Sequence, residues 1–330
     1  MTTTVTTRRI TGLKPTGILH LGNLLGAIQP MVRAQYASDS IVFLADLHAL
    51  TVTHEPRRVR ERTLEQATVL LAAGLDPDRV LLYVQSQVPG HTELHYLLEC
   101  ATGYGEARRM IQFKEKGDAQ AQVRVSLLTY PCLMAADILL HDAPEVPVGD
   151  DQRQHVELAR DVAERFNARY GETFVVPRAV TPEVAARVMD LADPLSKMGK
   201  TAMSDVGVVR LLDPPDVVRR KVMRAVTDSG RGVTYDPVGR PGVANLLDIL
   251  AACTGEPPAE LAGRFSGYGD LKRTTAEAVE AELRPVRRRA AELSRDPGYV
   301  RQVLADGAER ARARTAETVH RAKSAIGLLP

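Results

Sequence analysis

Cysteine is scarce in this chain: Cys100, Cys132 and Cys253 are scattered, odd in number and form no C-x-x-C pair. That excludes a disulfide framework and a zinc ribbon, and a reducing cytoplasm suits the chain best. An excess of one charge is missing too, since 43 Lys and Arg against 41 Asp and Glu leave a net charge of +2. A nucleic-acid partner would therefore be met by local clusters rather than by overall attraction. No apolar run approaches the ~18 residues of a membrane span. The opening MTTTVTTRR lacks the apolar core of a secretory signal and reads as a short flexible lead-in. Internal repeats are absent, as are low-complexity tracts beyond an Ala/Arg-rich tail. What remains is an ordinary globular composition, 44% hydrophobic and 25% charged over 330 residues, with room for one large domain and a smaller one.

Residues 41–45 (IVFLA) and 80–84 (VLLYV) are apolar runs rich in strand formers, separated by an amphipathic helical pattern over about 57–73. Strand, helix, strand predicts a parallel sheet. Ligands of such sheets sit beyond the carboxyl ends of the strands, which puts Asp46 and His48 at the mouth. From about 93 to 170 the pattern is mostly helical, as an insertion between the halves of the sheet. Beyond 203 the texture changes to helices dense in basic residues: Arg219, Arg220, Lys221 and Arg224, then Arg284, Arg287, Arg288 and Arg289. Such runs suit a solvated face as well as an RNA surface.

Three segments carry chemistry. In GLKPTGILHLGN, over 12–23, Gly12 and Gly17 allow backbone conformations strained for other residues, and Gly22 lets a ligand lie against the main chain at a helix start. An adenine nucleotide is the natural guest, with His20 and Asn23 on one helical face donating toward phosphate oxygens. Downstream, Lys197, Met198, Gly199, Lys200 and Thr201 set two lysines on a glycine-containing loop, as neutralising a departing pyrophosphate requires. In the third segment, LLTYPCLMAADILL over 127–140, a helix puts Tyr130, Met134 and Asp137 on one face, with Pro131 in its first turn. A buried Asp there must meet a donor, either from its own protein or from a ligand. An indole N–H is such a ligand donor, Met134 offers a polarizable sulfur to an aromatic ring, and Tyr130 offers a hydroxyl to an amine.

The string P-T-G-I-L-H-L-G-N resembles the HIGH signature of class I aminoacyl-tRNA synthetases, in the form used by the tryptophan and tyrosine enzymes, and K-M-G-K-T is similar to their KMSKS signature. L-L-T-Y-P-x-L-M-A-A-D-I-L-L looks like the bacterial tryptophanyl-tRNA synthetases, whose Asp at the position of Asp137 accepts the indole N–H; the tyrosine enzymes usually carry Gln where Met134 stands. The resemblance implies an α/β fold: a Rossmann-like parallel-sheet domain over 1–203 that includes a helical dimerisation insertion, then a smaller all-helical domain over 204–330 for the tRNA anticodon. It implies catalysis by His20, Asn23, Lys197 and Lys200, with Mg²⁺ on the phosphates of ATP and no metal held by the protein. ATP would also meet Lys14, Pro15, Thr16, Gly22, Gly199 and Thr201, its ribose Gly149, Asp150 and Asp151, and its adenine the backbone of Val188 and Met198. Tryptophan would meet Asp137, Tyr130, Met134, Gln112, Gln152, His48, Val146 and Val148. The implied partners are L-tryptophan, tRNA(Trp) and a second copy of the chain in the cytoplasm, with no membrane.

There are departures. Lys14 stands where bacterial members commonly have Gln, Gly199 removes a serine hydroxyl, and Ile10 stands where Phe is frequent, so that one wall of the pocket is less aromatic. They suggest a divergent or auxiliary copy. The rival readings are a nucleotidylyltransferase with the same phosphate chemistry, a non-catalytic paralogue that senses tryptophan or binds RNA, and a tyrosine-specific enzyme.

Overall fold

Five parallel strands make one sheet in the order β3-β2-β1-β4-β5: β1 Arg8–Leu13, β2 Asp39–Leu44, β3 Leu81–Val84, β4 Glu145–Pro147 and β5 Arg178–Val180. The computed structural model describes residues 7–110, 124–149, 152–180, 187–199, 205–230 and 232–329. The register runs Ile10 to Ile41 and Ile41 to Leu81, so side chains alternate in step across the strands. Val42, Leu44, Leu82 and Val84 enter one apolar cluster, while Ile41, Phe43, Leu81 and Tyr83 enter another. Both faces are therefore covered, which is why the two runs read as continuously apolar rather than alternating.

Among the described residues, eight longer helices do the covering: α1 Pro56–Ala72, α2 Gly90–Glu99, α3 Val125–Leu139, α4 Arg153–Tyr170, α5 Pro215–Met223, α6 Pro241–Thr254, α7 Tyr268–Arg295 and α8 Pro297–Ala325. Helices α1, α5, α6 and α7 bury residues in the first cluster; α2, α3, α4 and most of α8 bury theirs in the second. Among the described residues no helix is long and apolar enough to cross a membrane.

Two expectations are corrected. The helical insertion over 93–170 is not continuous, because β4 lies inside it and pairs with β1. Three residues are too short a strand to stand out in a helical texture. The division at 203/204 is not a division of the core either. The final helix returns to the sheet, where Gly307 lies so close to β3 that a Cβ there would sit 1.8 Å from the Leu82 carbonyl oxygen. Arg314 pairs with Asp39 of β2, Arg321 with Asp142 at 2.8 Å, and Lys323 with Glu93 at 2.7 Å. Two arginines of the Ala/Arg-rich tail, Arg314 and Arg321, are thus anchors to β2 and to the turn before β4.

The strand order turns at β1: the chain runs outward through β2 and β3, then crosses to β4 on the other side. The crevice of such a sheet opens at the carboxyl ends of the strands flanking that reversal, here Leu13 and Pro147.

Candidate active site

Lys14 begins the segment after β1 and extends Nζ to 3.4 Å from Thr51 Oγ1, in the turn after β2. Gly17 has φ +75°, the left-handed region, as expected of a turn glycine. Gly12 has a different reason. It belongs to β1, and a Cβ there would lie 2.5 Å from Cζ of the Phe43 ring, so closeness rather than backbone freedom demands glycine. A helical run then covers 21–34, with a π-type turn over Leu24–Ile28 ahead of Pro30. At its start the His20 backbone N–H donates to Asn23 Oδ1 at 3.1 Å, which leaves the amide Nδ2 as the donor end of that side chain.

The second signature comes to the first. Leu21 N–H donates to Val209 O at 2.8 Å and Leu211 N–H to Leu19 O at 3.1 Å, tying 209–211 alongside the HLGN segment. A methyl group at position 22 would lie 3.2 Å from His20 Nδ1 and 3.4 Å from Val188 Cβ. Val188 in turn accepts from Met198 N–H at 3.1 Å, and both residues are buried. Asn245 of α6 grips the adjacent Met189 from both sides, accepting from its N–H at 2.8 Å and donating to its carbonyl at 3.0 Å. Lys197 is exposed and Gly199 half-buried at the open edge. Lys200 and Thr201 lie outside the described residues.

Helix α3 supplies the acceptor. Its first turn starts at Val125, so Pro131 is an interior residue, not a first-turn one. A proline there removes one backbone bond and costs about 3 kcal/mol, which the burial of Leu127 and of Tyr130 through Leu133 offsets. Tyr130 and Asp137 are buried and Met134 half-buried, on the expected face. Asp137 is 2% exposed and is met by protein donors. Oδ1 accepts from Gln85 Nε2 at 2.6 Å and from His91 Nδ1 at 2.7 Å, while Oδ2 accepts from His48 Nε2 at 2.8 Å. Burial pushes this carboxyl up, but hydrogen bonds from His48 and His91 outweigh it and bring the pKa down to about 2. Three of about four lone-pair positions on the carboxylate are then filled, leaving one on Oδ2 among the described residues. The Tyr130 ring meets His48 edge-on with centroids 6.2 Å apart, and its hydroxyl bonds His155 Nε2 of α4 at 2.7 Å.

The other expected residues lie on β4 and on the segments that follow β1 and β4. Val146 is buried in β4, Val148 N–H donates to Val180 O at 3.1 Å, and Gln152 precedes α4 with its N–H on Gly149 O at 3.0 Å. Pro15 is buried and Thr16 half-buried behind the Lys14 turn. Gln112, Asp150 and Asp151 lie outside the described residues. Sequence reasoning missed Gln85, His91, Tyr83 and His141. Gln85 follows β3 directly, so the strand-end rule that selected His48 selects it too; nothing local distinguishes the others. Among the described residues no group of three or more His, Cys, Asp or Glu side chains is placed to hold a metal ion.

The family described as "tRNA synthetases class I (W and Y)" matches residues 2–284. The chain belongs to the class I tRNA synthetases. Within that family it is similar to tryptophan–tRNA ligase 1 of Streptomyces coelicolor, with 60% identity over 98% of both chains. Among solved synthetases, tryptophanyl-tRNA synthetase from Mycoplasma pneumoniae superposes with a TM-score of 0.90 at 35% identity, covering 98% of this chain and 99% of that one. The Campylobacter jejuni synthetase complexed with ADP and tryptophan gives 0.84 at 33%, covering 97% of this chain and all of that one, 100%. The two segments that resemble the synthetase signatures meet at Val188, which accepts from Met198 N–H and lies beside Gly22.

Of the basic residues expected at the anticodon, Lys221 is engaged internally with Asp213 at 2.8 Å and the Val208 carbonyl at 2.7 Å, and Arg287 pairs with Glu280. Arg219, Arg220, Arg224, Arg284, Arg288 and Arg289 are exposed.

Proposed function

We propose that the chain activates L-tryptophan with ATP and ligates it to tRNA(Trp). A carboxylate oxygen of tryptophan attacks the α-phosphorus, pyrophosphate leaves, and tryptophanyl-adenylate remains. A ribose hydroxyl of the 3′-terminal adenosine then attacks the acyl carbon, and AMP leaves. The observation that carries this reading is the ionised, buried Asp137 at the sheet's carboxyl edge, with one acceptor position on the His48 side. An indole N–H completes it, whereas phenylalanine has no donor to offer and is rejected by ~10⁴ to 10⁵. Met134 and the edge-on Tyr130 and His48 pair frame an aromatic guest.

No side-chain nucleophile is needed. Asn23 Nδ2, His20, Lys197 and Lys200 stabilise the charge that builds on the departing pyrophosphate. Mg²⁺ is a hard cation that takes phosphate oxygens readily, so it travels with ATP and adds charge neutralisation there. Gly149, Asp150 and Asp151 hold the ribose, and the buried Val188 and Met198 pair presents backbone to the adenine. Exposed Tyr96, Tyr104 and Val125, at 65%, 68% and 75% exposure on the helices between β3 and β4, suit the contact of a homodimer. A cytoplasmic site of action follows from its substrates, ATP and tRNA.

The test is tryptophan-dependent ATP–pyrophosphate exchange, run with the other amino acids in parallel, and tRNA charging. Lys200→Ala is expected to slow exchange by about 10²-fold or more while tryptophan binding changes little. Exchange driven by tyrosine instead, or none with any amino acid, overturns the proposal.

A further inference from the structure

Behind Asp137 stands a line of buried polar side chains with no part in the reaction above. His141 Nε2 lies 2.6 Å from the Tyr83 hydroxyl, which lies 2.9 Å from His91 Nε2, and His91 Nδ1 reaches Asp137 Oδ1 at 2.7 Å. Tyr83 and His91 are fully buried and His141 is 1% exposed. Each gap holds one proton, so the direction of donation in one gap sets the direction in the next.

If Asp137 carried a proton, it would donate to His91, His91 to Tyr83, and Tyr83 to His141 Nε2. Neutral His141 would then keep its remaining proton on Nδ1. The same follows if His91 carries both ring protons. Yet His141 Nδ1 is buried with no hydrogen-bond partner among the described residues. A buried N–H without an acceptor is rarer and costlier than a buried lone pair without a donor. The opposite order leaves only a lone pair there: His141 Nε2–H donates to Tyr83, Tyr83 O–H to His91 Nε2, and His91 Nδ1–H to Asp137. Burial above all holds His141 well below the ordinary histidine range, so the ring is neutral as this order requires.

We propose that His141, Tyr83 and His91 form a one-way donor chain that keeps Asp137 an acceptor-only carboxylate, and that they are positioning residues for recognition of a ring N–H. The proposal rests on the reading of Asp137 given above. The groups facing the carboxylate from each packed element are His48 after β2, Gln85 after β3 and His91 of α2, with Tyr83 and His141 behind them. Arg8, bonded to the His141 carbonyl at 2.6 Å, and Arg314 lie farther out. Gln85 Nε2 can only donate, because its Oε1 accepts from Leu47 N–H at 3.2 Å, and His48 donates or accepts according to its tautomer; the chain through His91 takes its direction from the buried His141 Nδ1, which has no partner among the described residues.

Two measurements test this. In the unaltered protein, ¹⁵N signals of the His91 ring are expected to place the proton on Nδ1; a proton on Nε2 with bare Nδ1 overturns the chain. In Tyr83→Phe, the preference for tryptophan over its benzothienyl analogue, which has sulfur in place of the ring N–H, is expected to fall by about tenfold while kcat with the analogue stays within about twofold. Loss of activity shared equally by both amino acids means that Tyr83 acts only in packing, and overturns the proposal. Asp137→Asn separates the two levels. A collapse of that preference in Asp137→Asn beside an unchanged one in Tyr83→Phe removes the chain alone, whereas an intact preference in Asp137→Asn removes the reading of Asp137 beneath it. Should Tyr83→Phe be insoluble, the ring signals of the unaltered protein decide.

Discussion

Asp137 is charged in the interior because three donors surround it, and this has a measurable cost at low pH. Its folded pKa, about 2, lies below the ordinary 3.8, so its stabilisation is complete above about pH 4 and is lost as the pH falls toward 2. The difference amounts to about 2 kcal/mol. Denaturant unfolding of the unaltered protein is expected to lose about that much more between pH 4 and pH 2 than unfolding of Asp137→Asn, in which position 137 does not titrate. Equal slopes would show that the carboxylate is not held as described. At neutral pH the same substitution sets an amide N–H₂ among donors, and a fall of about 3 kcal/mol in stability is expected. The sequence pattern indicated a buried Asp on the Tyr130 face but left open which donors meet it, because Gln85 and His91 come from other elements.

At the scale of elements, the described part of the second signature, Lys197 to Gly199, lies outside the named helices and strands, so its alignment with the helix start at Leu21 depends on what grips it. Asn245 is the clearest grip: one buried amide satisfies both backbone groups of Met189, next to Val188. Asn245→Ala leaves an N–H and a carbonyl unpaired, about 1 to 3 kcal/mol each. The expected result is a KM for ATP raised about tenfold or more with the tryptophan KM little changed, read by pyrophosphate exchange at varied ATP; an equal rise in both would make Asn245 a general core residue. Pro131 belongs to the same scale. Read locally it marks a helix start, yet α3 begins six residues earlier, because burial of the surrounding apolar side chains outweighs one missing hydrogen bond.

For the whole molecule, the decisive feature is that α8 is part of the sheet's cover. Ala308, Ala311, Val319 and Ala322 sit in the cluster that holds Phe43 and Tyr83, and Arg314 pairs with Asp39 at the start of β2. A chain ending after residue 296 is therefore expected to lose soluble yield and tryptophan-dependent exchange together. A detachable anticodon module would leave exchange intact, and that outcome would refute the shared core. The exposed arginines are proposed to bind tRNA. Converting Arg219, Arg224, Arg284 and Arg288 to Ala is expected to flatten the salt dependence of tRNA binding by roughly 0.7 to 0.9 in log–log slope for each phosphate that is no longer neutralised. An unchanged slope would make them a solvated face.

Much of the protein is local in origin and was legible in the residues themselves. The apolar runs at 41–45 and 80–84 and the amphipathic helix between them follow from side-chain pattern and backbone preference, which the neighbouring residues settle. The sequence by itself thus determined the parallel sheet and a buried Asp137 on the Tyr130 face of α3. Tertiary structure alone decided the rest: β4 pairing with β1, α8 closing over β3, and Gln85, His91, Tyr83 and His141 converging on Asp137 from separate elements. Such contacts carry no periodic signal, because a buried polar group is satisfied by whatever donor the packing brings near, at any separation along the chain.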